Sequence, residues 1–189
     1  MSRLNSNLST ITDIVGVAPK AMLNGGVPPL WAFPELNGTQ AFKAGEMVCL
    51  SGSAGSAVGL TRPGTDASGF GIVGFAADDA DGTTSAYQGV YIATPDVVFV
   101  GNVGHSTSAS AQTAATDLGQ QYGLTSLSGR SYIDKSKTNV STTMCRVLGL
   151  HDGDNHPCYY GKVYFKVLDE NFKLRRGWVV ASSTFARLP

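Results

Sequence analysis

Gly89-Val90-Tyr91-Ile92-Ala93-Thr94-Pro95-Asp96-Val97-Val98-Phe99-Val100-Gly101-Asn102-Val103 is the stretch that decides the fold class. Two runs rich in β-branched and aromatic residues flank Thr94-Pro95-Asp96, a turn sequence with proline at a favoured position. That content suits pleated strands and not helices. Working outward, runs of the same kind recur between turn signals every 8–12 residues, the pattern of an all-β barrel or sandwich. Glu46–Leu50, Ala57–Thr61 and Gly71–Ala77 precede the deciding stretch; Ser131–Asp134, Thr142–Leu150, Gly161–Leu168 and Trp178–Ala181 come after it. No helix long enough for a βαβ crossover is present, which argues against a parallel α/β sheet. The expected fold is all-β, an antiparallel barrel- or sandwich-like domain with at most one short helix. That helix is placed over Thr107–Asp117, extending at most to Gln121, in a Ser/Ala/Thr-rich segment without the large apolar residues that anchor a core. No internal repeat of constant period stands out.

Residues 1–38 read as an extended arm preceding a β-rich domain over 39–189. Four of the eight prolines fall in it (Pro19, Pro28, Pro29, Pro34). Proline removes amide donors and fixes φ, so the segment is not expected to supply central strands; only Leu8–Val17 reads as a short element. Trp31 and Phe33 lie among these prolines, and rings on an extended segment need a surface to bury against. Their own core and a neighbouring subunit are the two choices.

Composition narrows the function. The 189 residues carry no net charge, and only 15% are charged, against roughly 25% in an average soluble domain. A basic nucleic-acid binder and a charge-rich disordered chain are both poorly supported, and no apolar run approaches the roughly 20 residues of a membrane helix. The neutrality hides an asymmetry: residues 1–129 hold 4 Lys/Arg and 9 Asp/Glu, residues 130–189 hold 10 and 5. Three cysteines (Cys49, Cys145, Cys158) make no disulfide framework, and Met1–Thr10 has no apolar signal core, so a reducing cytoplasm is the expected compartment of synthesis.

No motif carries chemistry. Gly69-Phe70-Gly71-Ile72-Val73-Gly74 matches the dinucleotide fingerprint in letters, yet a β-like run and an acidic turn stand after it, where a helix is required. His151, Asp152, Asp154, His156 and Cys158 form the densest set of potential zinc ligands, without the paired Cys-x-x-Cys that would support a site. Pro157 and Val163 stand where a calcium loop needs glycine and glutamate. The acidic turn Asp78, Asp79, Asp81 reads as solvated. There is no nucleophile elbow, zincin helix or P-loop. No catalytic, cofactor or metal residue is assigned, and the chain is not expected to be an enzyme.

Several stretches carry a resemblance: Ala41-Phe42-Lys43-Ala44-Gly45-Glu46-Met47-Val48-Cys49-Leu50, Gly71-Ile72-Val73-Gly74-Phe75-Ala76-Ala77-Asp78-Asp79, Asp117-Leu118-Gly119-Gln120-Gln121-Tyr122-Gly123-Leu124, Gly129-Arg130-Ser131-Tyr132-Ile133-Asp134-Lys135 and Gly161-Lys162-Val163-Tyr164-Phe165-Lys166-Val167-Leu168. In texture more than in invariant motifs, residues 41–168 resemble the small head decoration or cement proteins of tailed bacteriophages. The resemblance implies a non-enzymatic virion protein, assembled in the host cytoplasm, that binds the outer capsid surface. Often a homotrimer, such a protein clamps neighbouring major capsid proteins, without nucleic acid, membrane or cofactor. A clamp works by burying apolar area, at about 25 cal/mol per Å², so Trp31, Phe33, Trp178 and Phe185 are the expected partner-facing residues. The alternatives are a head–tail or tail protein forming rings, a metal-dependent enzyme built on residues 151–158, and a carbohydrate-binding module with exposed aromatics.

Overall fold

The computed structural model describes residues 15–36, 38–51, 59–63 and 71–172. It is all-β. Eleven strands run in chain order as β1 (Ala18–Met22), β2 (Leu30–Pro34), β3 (Met47–Ser51), β4 (Gly59–Thr61), β5 (Gly74–Ala76), β6 (Tyr87–Ile92), β7 (Val97–Gly104), β8 (Gln121–Leu127), β9 (Arg130–Asp134), β10 (Cys145–Leu150) and β11 (Lys162–Val167). In place of a helix over 107–117 there are two single 3₁₀ turns, Ser108–Ser110 and Ala115–Asp117. The segment has no apolar stripe to dock. Its polar groups bind locally instead: the Ala114 N–H donates to the Asp117 carboxylate at 2.8 Å.

The strands form two rolled sheets. In the C-terminal barrel the hydrogen-bonded order is β7-β11-β10-β8-β9, closed by a parallel β7–β9 pairing at Val103↔Ile133 and Gly104↔Asp134. The N-terminal roll runs β2-β6-β5-β3-β4, and a parallel bridge between Glu35 and Leu60 joins its ends. Counted within each unit, both follow the order first, fifth, fourth, second, third, with first and third parallel. The chain therefore contains one architecture twice.

The register repeats as well as the topology. Val48↔Gly74 in the roll stands where Tyr122↔Cys145 stands in the barrel, and Leu50↔Leu60 where Leu124↔Ile133 stands. Ala76↔Val90 likewise matches Val147↔Phe165. Hydrogen bonds outside the ladders correspond too. The Val73 N–H reaches the Val48 carbonyl as that of Met144 reaches Tyr122, and the Ala93 N–H reaches Val73 as that of Leu168 reaches Met144. Gly45 and Gly119, at φ of +78° and +77°, make the same left-handed entry into β3 and β8. The buried core of the roll includes Val48, Leu50, Leu60, Val73, Ala76, Val90 and Ile92. Their counterparts Tyr122, Leu124, Ile133, Met144, Val147, Phe165 and Val167 are all buried in the barrel core.

The arm reading is corrected by this arrangement. β1 pairs with β7 and β2 with β6, so the division at 38/39 cuts through the roll between β2 and β3. Prolines are accommodated because both strands are edges there. The Glu35 N–H donates to Ala86 across the β2–β6 ladder, whereas that of Leu36 donates to Leu60 on the other side. By that alternation Pro34 lacks an N–H on the side away from β6, where the ladder loses nothing. Residues 1–14, most of the expected Leu8–Val17 element among them, and the expected strand Trp178–Ala181 lie outside the described residues.

The two units pack unequally. Phe75 and Met47, on the outer side of the roll's β5 and β3, join the core cluster of the barrel. The Phe75 ring lies 4.8 Å from that of Phe99 and 6.1 Å from that of Phe165, centroid to centroid, within the range of favourable aromatic pairing.

Candidate functional site

Sequence reasoning named four residues as partner-facing, and the structure separates the first two. Phe33 is 1% exposed and sits in the core of the roll, so it is a packing residue. Trp31, two residues earlier on the same strand, is 53% exposed, with its ring 6.3 Å from that of Phe33. Trp178 and Phe185 lie outside the described residues.

The repeat explains why Trp31 is exposed. Its counterpart is Phe99, since Trp31↔Val90 occupies the register of Phe99↔Phe165. Phe99 is fully buried. Strand β1 lies along the same half of β7, with Ala18 opposite Val100 and Ala21 opposite Val98, and Phe75 packs against the Phe99 ring. On the roll, no described strand lies along the matching half of β2 opposite β6. Leu30, Val27 and Tyr87 are also exposed, at 56%, 86% and 70%; Leu30 and Tyr87, opposite Tyr91 and Pro34, lie on the other face of the sheet from Trp31 and Val90. The acidic turn lies beside Leu30: a Cβ on Gly89 would lie 3.0 Å from Asp78 Oδ2 and 3.3 Å from Leu30 Cδ1. Sequence reasoning missed Val27, Leu30 and Tyr87, which no motif marks.

The ligand-rich loop is built as structure. Asp154 lies 3.6 Å from His151 Nδ1 and accepts the Lys162 N–H at 2.6 Å. His156 Nε2 contacts the His151 carbonyl at 3.0 Å, so that nitrogen carries the proton, and its Nδ1 faces the Thr113 hydroxyl. Burial raises the Cys158 thiol above its ordinary pKa, with Asp154 adding to the shift. Among the described residues no three His, Cys, Asp or Glu side chains gather as a metal set would. In the acidic turn, Asp79 pairs with Lys43 at 2.9 Å. Its pKa is lowered, first by the Ala44 N–H. Buried Glu35 takes the Asp81 and Gly82 N–H groups, at 2.6 and 3.0 Å, and the Gln88 amide at 3.0 Å. These carboxylates hold the chain to itself.

All three cysteines are free and buried, and burial pushes the Cys145 thiol far above its ordinary value. A thiol kept protonated is a poor nucleophile. His105 accepts the Thr107 N–H at 2.9 Å in an exposed loop. A cleft of about 450 Å³ runs between Val15–Pro19 and both units, lined by Ala44, Ala77, Tyr91, Val100 and Lys162. No acid–base pair lines it. Of the fingerprint glycines, Gly71 and Gly74 lead into strand β5 and Gly69 lies outside the described residues, so a strand stands where the motif needs a helix.

No family model, no curated protein and no solved structure matches this chain.

Proposed function

We propose that this chain is a structural protein of a tailed-bacteriophage virion, a decoration or cement protein that trimerises on the outer capsid surface and clamps neighbouring major capsid proteins. The observation that carries the reading is the Trp31 ring, 53% exposed at the open edge of the roll where its counterpart Phe99 is fully buried. The sequence resemblance over residues 41–168 supports it. Cysteines held as buried thiols and histidines spent on loop hydrogen bonds fit a protein that binds and does no chemistry. A clamp of this kind gains strength from symmetry, because contacts that are weak singly add through effective concentration.

Co-sedimentation with DNA-free shells of the virus that encodes the chain tests this. The expected result is saturable binding to the outer surface, together with an upward shift in the temperature at which the shells break. Shells that neither bind the protein nor gain heat resistance would contradict the reading. Recovery of the protein in rings on purified tails would point to a tail component.

A further inference from the structure

The contact between the two units within the chain is head to tail: the outer face of the roll meets the Phe99 end of the barrel. Among the described residues, an interface of that type leaves one face and one end unused. The unused end is the Trp31 end of the roll. The unused face is on the barrel, at the positions matching Phe75 and Tyr91. Phe75↔Tyr91 stands in the register of Arg146↔Lys166, so two basic residues sit directly opposite each other on β10 and β11. Arg146 is exposed, and no described residue hydrogen-bonds or ion-pairs with its guanidinium. Like charges facing each other across a ladder are unfavourable unless something offsets them.

We infer that a second copy of this chain offsets them: Arg146 of one copy stacks on Trp31 of the next, repeating between copies the Phe75–Phe99 contact within each. This deepens the trimer reading above and rests on it. The chemistry is complementary at both levels. Trp is the best ring for a cation–π pair and Arg the more frequent cation in such pairs. Residues 29–93, the roll, hold six Asp/Glu and two Lys/Arg; residues 97–168, the barrel, hold four and six. The roll is thus acidic and the barrel basic in composition, and Asp78 lies beside Leu30 on the roll. Because each copy offers one end and one face, copies join head to tail, and a ring of three would contain six alternating units.

Native mass spectrometry of W31A, R146E and their mixture tests the contact, with near-UV circular dichroism confirming that each variant folds. Wild type is expected as a trimer. Each variant alone is expected as a monomer, needing at least tenfold higher concentration to assemble. The equimolar mixture should form dimers, because W31A keeps a sound face and R146E a sound end. R146K should assemble more weakly than wild type and more strongly than R146E. Trimers that persist in either variant, a mixture no heavier than its components at the highest soluble concentration, or a wild type that stays monomeric would each overturn the contact. Shell binding by wild type in any of those cases would leave the decoration reading standing.

Discussion

The N-terminal roll and the C-terminal barrel share strand order, register and the apolar character of their core positions, and one pair of surface sites sets them apart. At the positions of Phe75 and Tyr91 on the roll, the barrel has Arg146 and Lys166; where the barrel buries Phe99 beneath β1 and Phe75, the roll exposes Trp31. The comparison separates what a scaffold needs from what a surface is for. Core positions tolerate exchange of one apolar residue for another, as in Val90 for Phe165. Surface positions switch class completely, from aromatic within the chain to cationic where the chain ends its own stacking.

The largest expected effect breaks the comparison at that pair. Phe75→Ala removes a fully buried ring from the junction and should cost about 3–5 kcal/mol. Arg146→Ala at the matching exposed position should stay within about 0.5 kcal/mol. Urea unfolding of dilute protein checks both, and equal losses would mean that the two faces are not counterparts.

A second comparison concerns charge. The residue following the third strand is basic in both units, Arg62 in the roll and Lys135 in the barrel. Arg62 pairs with Glu46 at 2.8 Å, and Lys135 with Asp117 at 2.8 Å. Lys135 is the more buried side chain, at 15% exposed against 40%, and Asp117 also accepts the Tyr122 hydroxyl. Lys135→Met should therefore cost about 3 kcal/mol, the usual loss when a buried charge loses its partner. Arg62→Met leaves Glu46, 1% exposed, without its ion pair and should cost a comparable amount; thermal midpoints measured side by side check both.

The glycine pair sharpens the comparison at smaller scale. A side chain at a positive φ costs about 1–2 kcal/mol. Gly119→Ala should show that amount, because nothing lies within 4 Å of its Cβ position. Gly45→Ala should cost more, since its Cβ would lie 2.9 Å from the Val17 backbone N and O. The smallest effect is expected from alkali. Burial, then the nearby Asp134, raises Tyr132 to about 12 from its ordinary value of 10.0. A tyrosine whose folded pKa is raised contributes stability in full below pH 10 and loses it as pH climbs towards 12. Tyrosinate absorbance should lag behind that of free tyrosine until the chain unfolds in that window.

Much of the fold was legible in the sequence, because apolar runs and turn residues mark strands locally. The deciding stretch became β6, a turn and β7. What failed depends on partners. β1 and β2 were hidden by prolines whose missing N–H groups point away from a ladder, a matter of register that no window of sequence contains. Strand β8 was hidden by the Gln121-Tyr122-Gly123 texture after a polar segment. The repeat was hidden by uneven spacing: counterparts lie 68 residues apart at Trp31/Phe99, 74 at Leu50/Leu124, 73 at Leu60/Ile133, 71 at Val73/Met144 and 75 at Ile92/Val167. In the aligned strands and strand entries, Gly45/Gly119 and Leu50/Leu124 are the identities. For the candidate site, Trp31 was legible as a ring beside prolines. That Phe33 on the same side would be buried and Trp31 exposed depends on where the roll's open end lies.

The solution mass of the wild-type chain over a range of concentrations tests most directly the claim that this scaffold is built to associate with copies of itself. The account predicts a species of three times 19.7 kDa that dissociates on dilution. A species of 19.7 kDa at every concentration, or a ring of six or more copies, would contradict it.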